Sequence, residues 1–255
     1  MTGAVSGDTT ERRTPSAIRS TGDRLRFVVG FAVLLGVLLT TAELDPTGRF
    51  GLAILGAVLA AGLAVERVLY GIGPREALRG LGFARPTGRA LLAAAVVGAL
   101  VQLVYPATVA ITGAEPELRP GWPWLLVGIF AFHGLAEELV WRGYAYRRLR
   151  VGRSFGAAVG WTMPLVAVAH LPIVITSGPL VGAAALIVAA VTAVPLAYLF
   201  DIGRATIWAP AVLHTAIDSF KLVVVPAAAL TTFSLLLAAI SIVVPLLVLA
   251  VPRSN

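Results

Sequence analysis

Residues 128–153 read GIFAFHGLAEELVWRGYAYRRLRVGR, a segment that combines a membrane-like apolar background with ionisable side chains. Four of these side chains lie close together in the apolar part: His133, Glu137, Glu138 and Arg142. A charged side chain at the centre of a bilayer costs roughly 2.5–3.5 kcal/mol on insertion scales, so two glutamates cost about 5–7 kcal/mol before any pairing. Side chains that carry such a cost usually face a protein interior or a wet cavity and serve a function.

The composition of the chain around this segment indicates a membrane protein. Only 13% of its 255 residues are charged and its mean hydropathy is +0.89, whereas soluble domains carry about 25% charged residues. The chain has no cysteine, which excludes disulfides and thiolate metal sites. Its net charge of +7 is typical of a membrane protein with a basic cytoplasmic face, so we predict no nucleic-acid partner.

The apolar stretches predict an all-α, polytopic fold of about eight transmembrane helices with a cytoplasm-facing intramembrane cavity, because each can cross a bilayer with roughly 17–25 residues. The motif-bearing core is residues 122–225, within a single transmembrane domain over residues 25–251. Residues 1–24 are polar and predict a disordered cytoplasmic tail. The predicted spans are Leu25–Ala42, Gly51–Leu69, Ala90–Ile111, Trp122–Tyr144, Phe155–Ile175, Pro179–Phe200, Thr206–Val225 and Ala228–Val251.

The distribution of basic residues predicts the orientation of these spans. With the N-terminus in the cytoplasm, all but three of the 20 basic residues fall on the cytoplasmic side. The exceptions are Arg49, Arg119 and Lys221. We therefore predict a multi-pass protein of the cell membrane, in contact with the lipid bilayer, with both termini in the cytoplasm.

Helical spacing distinguishes the two adjacent glutamates. Glu138 and Arg142 are four residues apart, so they are predicted to form an ion pair along one face. Glu137 points about 100° away from that face and is left to act as a general base. His133 precedes Glu137 by four residues on the same face, where we predict that it tunes Glu137.

Counting residues from the ends of the spans brings distant side chains to the depth of Glu137. At 1.5 Å per residue, Glu137 lies roughly 10–14 Å inside its span, His170 roughly 13 Å and His214 roughly 9 Å. Asp218 follows His214 by four residues and shares its helix face. These four residues are therefore predicted to form one catalytic cluster.

The residue types of this cluster leave two chemistries open. Glu137, His170 and His214 could hold a divalent metal such as zinc. Alternatively, Glu137 and His170 could activate water directly, with His214 and Asp218 stabilising an oxyanion or orienting the substrate. The HExxH pattern of ordinary zinc peptidases is absent from the sequence.

Three motifs resemble those of the CPBP family of intramembrane proteases, which includes CAAX prenyl endopeptidases and bacteriocin-immunity relatives. The sequence EELVWR at residues 137–142 is similar to the family's EExxxR motif, and HTAID at residues 214–218 is similar to HxxxN/D. The sequence VAVAH at residues 166–170 corresponds to FxxxH, with Val166 in place of the family phenylalanine. Loss of this bulky side chain puts the substrate class in doubt more than the catalysis.

The resemblance implies roles for the matching residues. Glu137 would activate the attacking water with the help of His170, while His214 and Asp218 would line the oxyanion side. Glu138 would pair with Arg142. The family is described both as metal-dependent and as metal-independent, and its substrates imply a peptide or lipidated-protein partner.

Two other classes of function compete with an endopeptidase. A non-catalytic membrane scaffold, or a bacteriocin-immunity or regulatory protein, would keep the polar cluster for helix packing alone. A proton-coupled transporter would use Glu137 and the histidines as a relay, although the sequence lacks the internal repeat that many transporters carry. The sequence sets no oligomeric state.

Overall fold

The computed structural model describes residues 18–45 and 48–253. Residues 1–17 of the predicted tail lie outside the described residues. The last four residues of that tail are helical, because the first helix begins at Thr21. Its start is fixed by a capping box, in which Ser20 and Asp23 each accept a hydrogen bond from the other's backbone N–H.

Caps and glycines at the ends of the apolar runs set the bounds of the helices in the first half of the chain. The Thr87 side chain accepts from the backbone N–H of Ala90 at the start of α4. Gly71 has φ of +69° at the end of α2, a conformation that favours glycine. The elements are α1 (Thr21–Leu44), α2 (Gly51–Tyr70), α3 (Pro74–Leu78, continued by a π turn at Arg79–Phe83), α4 (Gly88–Val101) and α5 (Val104–Thr112).

The second half of the chain contains the longest helix and two very short strands. The strands form an antiparallel ribbon in which Leu118 lies opposite Val223. The elements are β1 (Glu117–Leu118), α6 (Trp122–Arg150), α7 (Phe155–Ser177), α8 (Pro179–Ile202), α9 (Trp208–Ile217, followed by a 3₁₀ turn at Asp218–Leu222), β2 (Val223–Val224) and α10 (Leu230–Val243, with 3₁₀ turns at Ala227–Ala229 and Val244–Ala250).

Seven helical segments within residues 18–45 and 48–253 are long and apolar enough to cross a membrane. They match seven of the eight predicted spans to within a few residues, which confirms an all-α polytopic membrane protein. The predicted span Thr206–Val225 is different, because α9 has only 10 residues. The polar side chains of the following turn bind neighbouring helices, and the chain leaves α geometry at Asp218.

The α9 segment nevertheless runs from one end of the helical bundle to the other. At its start, the backbone N–H of Ile207 donates to the Gly82 carbonyl oxygen at 3.1 Å, beside the arginine-rich loop of residues 71–89. At its end, the Leu222 carbonyl oxygen accepts from the backbone N–H of Arg119 at 2.8 Å, beside the β ribbon. We call these two ends of the bundle the arginine-rich face and the ribbon face.

Both ends of the described chain lie on the arginine-rich face. Near the start, the Tyr144 hydroxyl donates to the carbonyl oxygen of Phe27 at 3.1 Å. Near the end, the Tyr198 hydroxyl donates to the carbonyl oxygen of Val251 at 2.5 Å, and the Arg253 guanidinium lies 4.8 Å from the Tyr198 ring centroid. The eighth crossing expected from the sequence stays a prediction, with α9 as its short helix.

Helix α6 is the centre of the bundle. In its most apolar window 67% of the residues are buried, against 22–39% in the other six spans. Small residues let its neighbours approach closely, as is common between membrane helices. A Cβ added at Gly134 would lie 2.6 Å from Oγ1 of Thr215 on α9, so this glycine permits the contact between the two helices that carry the motifs.

Candidate active site

Helix α6 contains two π-helical segments, one on each side of Glu137 and Glu138. Phe130–Ala136 and Leu139–Tyr146 have this wider turn, in which an N–H bonds to the carbonyl five residues earlier. Side chains four residues apart, such as His133 with Glu137 and Glu138 with Arg142, lie on the same side of the helix. Short π segments occur frequently at functional sites.

Glu138 is a buried ion-pair partner. Its side chain is 0% exposed and its Oε1 accepts from Arg142 at 2.8 Å. The same oxygen accepts from Nδ1 of His214, on α9, at 2.7 Å. Glu138 therefore ties the two motif-bearing helices together, in addition to making the intrahelical contact that the sequence predicts.

Glu137 points into a cavity instead. Its side chain is 22% exposed, and its Oε1 lies 2.6 Å from Nδ1 of His133. Its second oxygen, Oε2, lies 3.7 Å from Nε2 of His214. The two adjacent glutamates thus occupy different environments, as the helical spacing predicts: one carboxylate is enclosed by its partners and the other is accessible.

His214 and Asp218 lie on the other side of the same cavity. Because the Nδ1–H of His214 donates to Glu138, its Nε2 is directed at the cavity, 3.6 Å from Oδ2 of Asp218. The Asp218 carboxylate also lies 3.5 Å from Nδ1 of His133. The structure therefore brings together four predicted residues, Glu137, His214, Asp218 and His133.

Lys221 is a member of the cluster that the sequence reasoning missed. Its Nζ lies 2.5 Å from Nε2 of His133, on the ring edge opposite Glu137. The charge pattern only counted it, with Arg49 and Arg119, among the three basic residues outside the cytoplasmic side. The signal that could have found it is its spacing, because Lys221 follows Asp218 by three residues and is the only lysine of the chain.

A polar network behind the cluster holds the turn that carries Asp218 and Lys221. The Ser219 hydroxyl donates to Oε1 of Gln102 at 2.8 Å, and the Tyr105 hydroxyl lies 3.1 Å from Ser219 Oγ. The Gln102 side-chain amide donates to the Ala216 carbonyl oxygen at 3.0 Å. Since membrane interiors offer no water to replace these bonds, the network fixes the turn against the junction of α4 and α5.

A cavity of about 830 Å³ adjoins the cluster. Its walls are largely apolar and come from α7, α8 and α10, and Val166, where the family has phenylalanine, is one of the wall residues. Toward the arginine-rich face the lining ends at Tyr146, whose buried ring packs edge-on against Phe155 and Phe200. Toward the ribbon face it reaches Arg119 and residues of β2.

The side of the membrane to which this cavity opens stays a prediction. Its lining runs from Tyr146, near the arginine-rich face, to the exposed strand residue Val224. Near the first of these ends, Tyr146, Phe155 and Phe200 pack together from three helices.

His170 lines the cavity but does not join the cluster. Its Nδ1–H donates to the carbonyl oxygen of Val166 at 2.8 Å, and no ion pair links it to the described carboxylates. Helix α7 packs on the bundle through its first half, where Ala158 and Val159 are buried, while Ile175 near its end is 81% exposed. His170 therefore lines the same cavity as Glu137 without bonding to it, and its predicted part in activating the water stays a prediction.

The arrangement of donors does not match the predicted metal site. A zinc ion would require Glu137, His170 and His214 to converge on one point, and the ring of His170 is bonded within its own helix. Among residues 18–45 and 48–253, no group of three or more His, Asp or Glu side chains is placed to hold a metal ion. The residues as placed do not fit the metal, and no step of the reaction considered below passes through one.

The fold and the site define a class of protein: a multi-pass membrane protein with an acid–base cluster inside its bundle. Comparison with known families finds a similarity over part of the chain. Residues 119–220 match the sequence model of the type II CAAX prenyl endopeptidase Rce1-like family. This match confirms the resemblance to the CPBP proteases and contains all three motifs, while Lys221 lies just beyond it.

The family match supports peptidase activity at the level of the family, because the matched family is one of endopeptidases. No curated protein matches the sequence of the chain.

Proposed function

We propose that this protein is an intramembrane endopeptidase that hydrolyses a peptide bond with a water activated by Glu137. The observation that supports the proposal best is the environment of Glu137: an accessible carboxylate, bonded to His133 at 2.6 Å, beside a large cavity in the family-matched segment. A carboxylate of this kind, reached by water and oriented by a histidine, is suited to general-base catalysis.

The attacking water would lie between Glu137 and His214. The 3.7 Å between Oε2 of Glu137 and Nε2 of His214 is too long for a direct hydrogen bond, and a bridging water suits such a separation. Glu137 takes one proton from this water while the water oxygen bonds to the carbonyl carbon of the substrate. The carbonyl π-electron pair moves to the oxygen and forms a tetrahedral oxyanion.

The other residues of the cluster would serve the oxyanion and the leaving group. A protonated His214, held at Nδ1 by Glu138, directs Nε2–H at the oxyanion, and Asp218 orients that ring from 3.6 Å. Collapse of the intermediate breaks the C–N bond, and Glu137 returns its proton to the leaving nitrogen. His170 lines the same cavity, where it would assist the attacking water.

The location of the reaction follows from the charge distribution. We assign the arginine-rich face to the cytoplasm and the protein to the cell membrane, with both termini inside, because basic residues favour that side. The expected depth near the cytoplasmic leaflet stays a prediction. For the substrate we propose a peptide or a lipidated protein, since the cavity walls combine apolar side chains such as Val188 and Phe233 with the polar cluster.

The proposal is tested by cleavage of peptide pools, one prenylated and one unmodified, read by mass spectrometry. Purified protein is compared with Glu137→Gln and with the control Glu43→Gln, which changes an exposed glutamate at the end of α1. Cleavage by the wild type and the control, lost in Glu137→Gln, supports the proposal. Equal cleavage by Glu137→Gln refutes it, and a folded wild type that cleaves neither pool favours the scaffold alternative.

A further inference from the structure

The only lysine of the chain contacts the histidine that holds Glu137. Lys221 reaches from the turn after α9 to within 2.5 Å of Nε2 of His133. On the opposite edge of the same ring, Nδ1 of His133 lies 2.6 Å from the Glu137 carboxylate. A continuous line of contacts thus runs from the Lys221 ammonium through the imidazole to the accessible carboxylate.

The two partners of the His133 ring determine which of its nitrogens carries the hydrogen. A lysine ammonium only donates, so Nε2 of His133 must accept and cannot carry a hydrogen. A carboxylate only accepts, so Nδ1 of His133 must donate and does carry the hydrogen. The two contacts together select one neutral tautomer, with Nδ1–H directed at Glu137.

Among the groups around His133, Lys221 is the one that keeps a proton off Nε2. The Phe132 ring stacks on the imidazole with centroids 4.1 Å apart, and the His214 ring centroid is 6.5 Å away. The remaining charged neighbour, Asp218, lies 3.5 Å from Nδ1, on the same edge as Glu137. Among the described residues, Lys221 is the one that the structure places against Nε2.

The position of Lys221 is itself built into the fold. The turn at Asp218–Leu222 is bonded through Ser219 to Gln102, and its last carbonyl oxygen accepts from Arg119 N–H in the ribbon. The lysine side chain is only partly exposed. It is therefore held over the ring by two anchors on either side, rather than reaching it as a mobile surface side chain.

We propose that Lys221 is a positioning residue for Glu137, acting through His133. By occupying Nε2, it keeps Nδ1–H directed at the carboxylate and so fixes the orientation of Glu137 toward the cavity. Without the ammonium, Nε2 can carry a proton, and the resulting imidazolium would hold Glu137 and Asp218 as an ion pair and make Glu137 a weaker base. The effect on cleavage rests on the proposed function, whereas the effect on the tautomer does not.

The direct test is nitrogen NMR of protein with isotope-labelled histidine, because a bare ring nitrogen and a protonated one resonate far apart. The chain has three histidines, and each signal is assigned by replacing one histidine with glutamine. We expect the wild-type His133 to show a bare Nε2 and a protonated Nδ1. We expect Lys221→Met to convert this single state into a mixture, and Lys221→Arg to retain the bare Nε2.

The matched control is Arg119→Met, which removes a cation from the wall of the same cavity and should leave the His133 signals unchanged. A protonated Nε2 in the wild type would overturn the proposal, and so would a spectrum of Lys221→Met identical to that of the wild type. Circular dichroism of each variant shows whether the helices are intact, so a misfolded variant is recognised and replaced by Lys221→Gln.

Cleavage kinetics test the catalytic consequence separately. A misplacement of about 1 Å in a catalytic group can cost on the order of 100-fold in rate, so Lys221→Met should lower kcat by up to that factor with little change in KM, and Lys221→Arg should restore part of it. An unchanged kcat together with a changed tautomer would overturn the positioning role. If the wild type cleaves nothing, the proposed function fails while the NMR result still decides the tautomer.

Discussion

The adjacent glutamates of α6 allow two isosteric substitutions whose expected losses of stability differ in size. Glu138→Gln removes the charge that neutralises Arg142, whose side chain is only 8% exposed. Leaving a buried charge without its partner typically costs about 3–5 kcal/mol. At roughly 2–4 °C per kcal/mol for a chain of this size, the midpoint of thermal unfolding should fall by about 10 °C.

Glu137→Gln should be much milder. The glutamine oxygen can still accept from Nδ1 of His133, so a charged hydrogen bond becomes a neutral one, a difference of about 1 kcal/mol. The Glu137 side chain is also 22% exposed, so its remaining polar atoms reach the cavity. We expect its unfolding midpoint to stay within about 4 °C of the wild type.

Circular dichroism during heating in detergent measures both variants under the same conditions. A third variant, Glu138→Gln with Arg142→Met, removes the stranded cation and should recover part of the loss, because replacing a buried ion pair with apolar groups is often nearly neutral. Equal midpoints for Glu137→Gln and Glu138→Gln would refute the reasoning. So would a double variant less stable than Glu138→Gln alone.

Three further predictions concern the rest of the bundle and the chemistry. Glu66 is fully buried and binds Arg148 at 2.7 Å and Arg147 at 3.0 Å. Glu66→Gln should therefore lower the midpoint of thermal unfolding, and adding Arg148→Met should restore part of it. If the losses of stability of the two single variants simply add in the double variant, the two residues are not coupled. Gly134→Ala should destabilise the protein by about 1–3 kcal/mol, because the new methyl group would collide with Oγ1 of Thr215. Adding Thr215→Ala removes that oxygen and should restore more stability in thermal melts than adding Thr215→Ser, which keeps it. Because the cluster does not converge on a metal site, peptide cleavage should be unchanged after treatment with a chelator; loss of activity that returns with zinc would show that a metal takes part.

Apolar length was sufficient to predict most of the fold. Each of seven spans needs only a run of lipid-compatible residues between polar ends, which is a local property of the chain. The α9 segment could not be predicted in the same way. Its helix stops at Ile217 where Ser219 bonds to Gln102, a contact between residues far apart in sequence.

The part of the site that depends on local helix geometry could be predicted from the sequence. Spacing within one helix placed Glu138 against Arg142 and His133 against Glu137, since these contacts depend on helix geometry alone. Counting depth along separate helices gives the height of a side chain and not its direction. His170 lines the cavity but bonds to the Val166 carbonyl oxygen in its own helix.

The two π-helical segments of α6 give this helix unequal tolerance to the loss of a residue. An α-helix advances about 100° per residue, and a π segment accommodates an additional residue within its turns. Deleting one residue from Phe130–Ala136 would let that segment return to α geometry, so that Glu137 keeps nearly its present direction relative to Trp122. Deleting one residue from the α-helical part, Trp122–Ile129, would instead rotate Glu137 by about 100° relative to Trp122 and turn it away from the cavity.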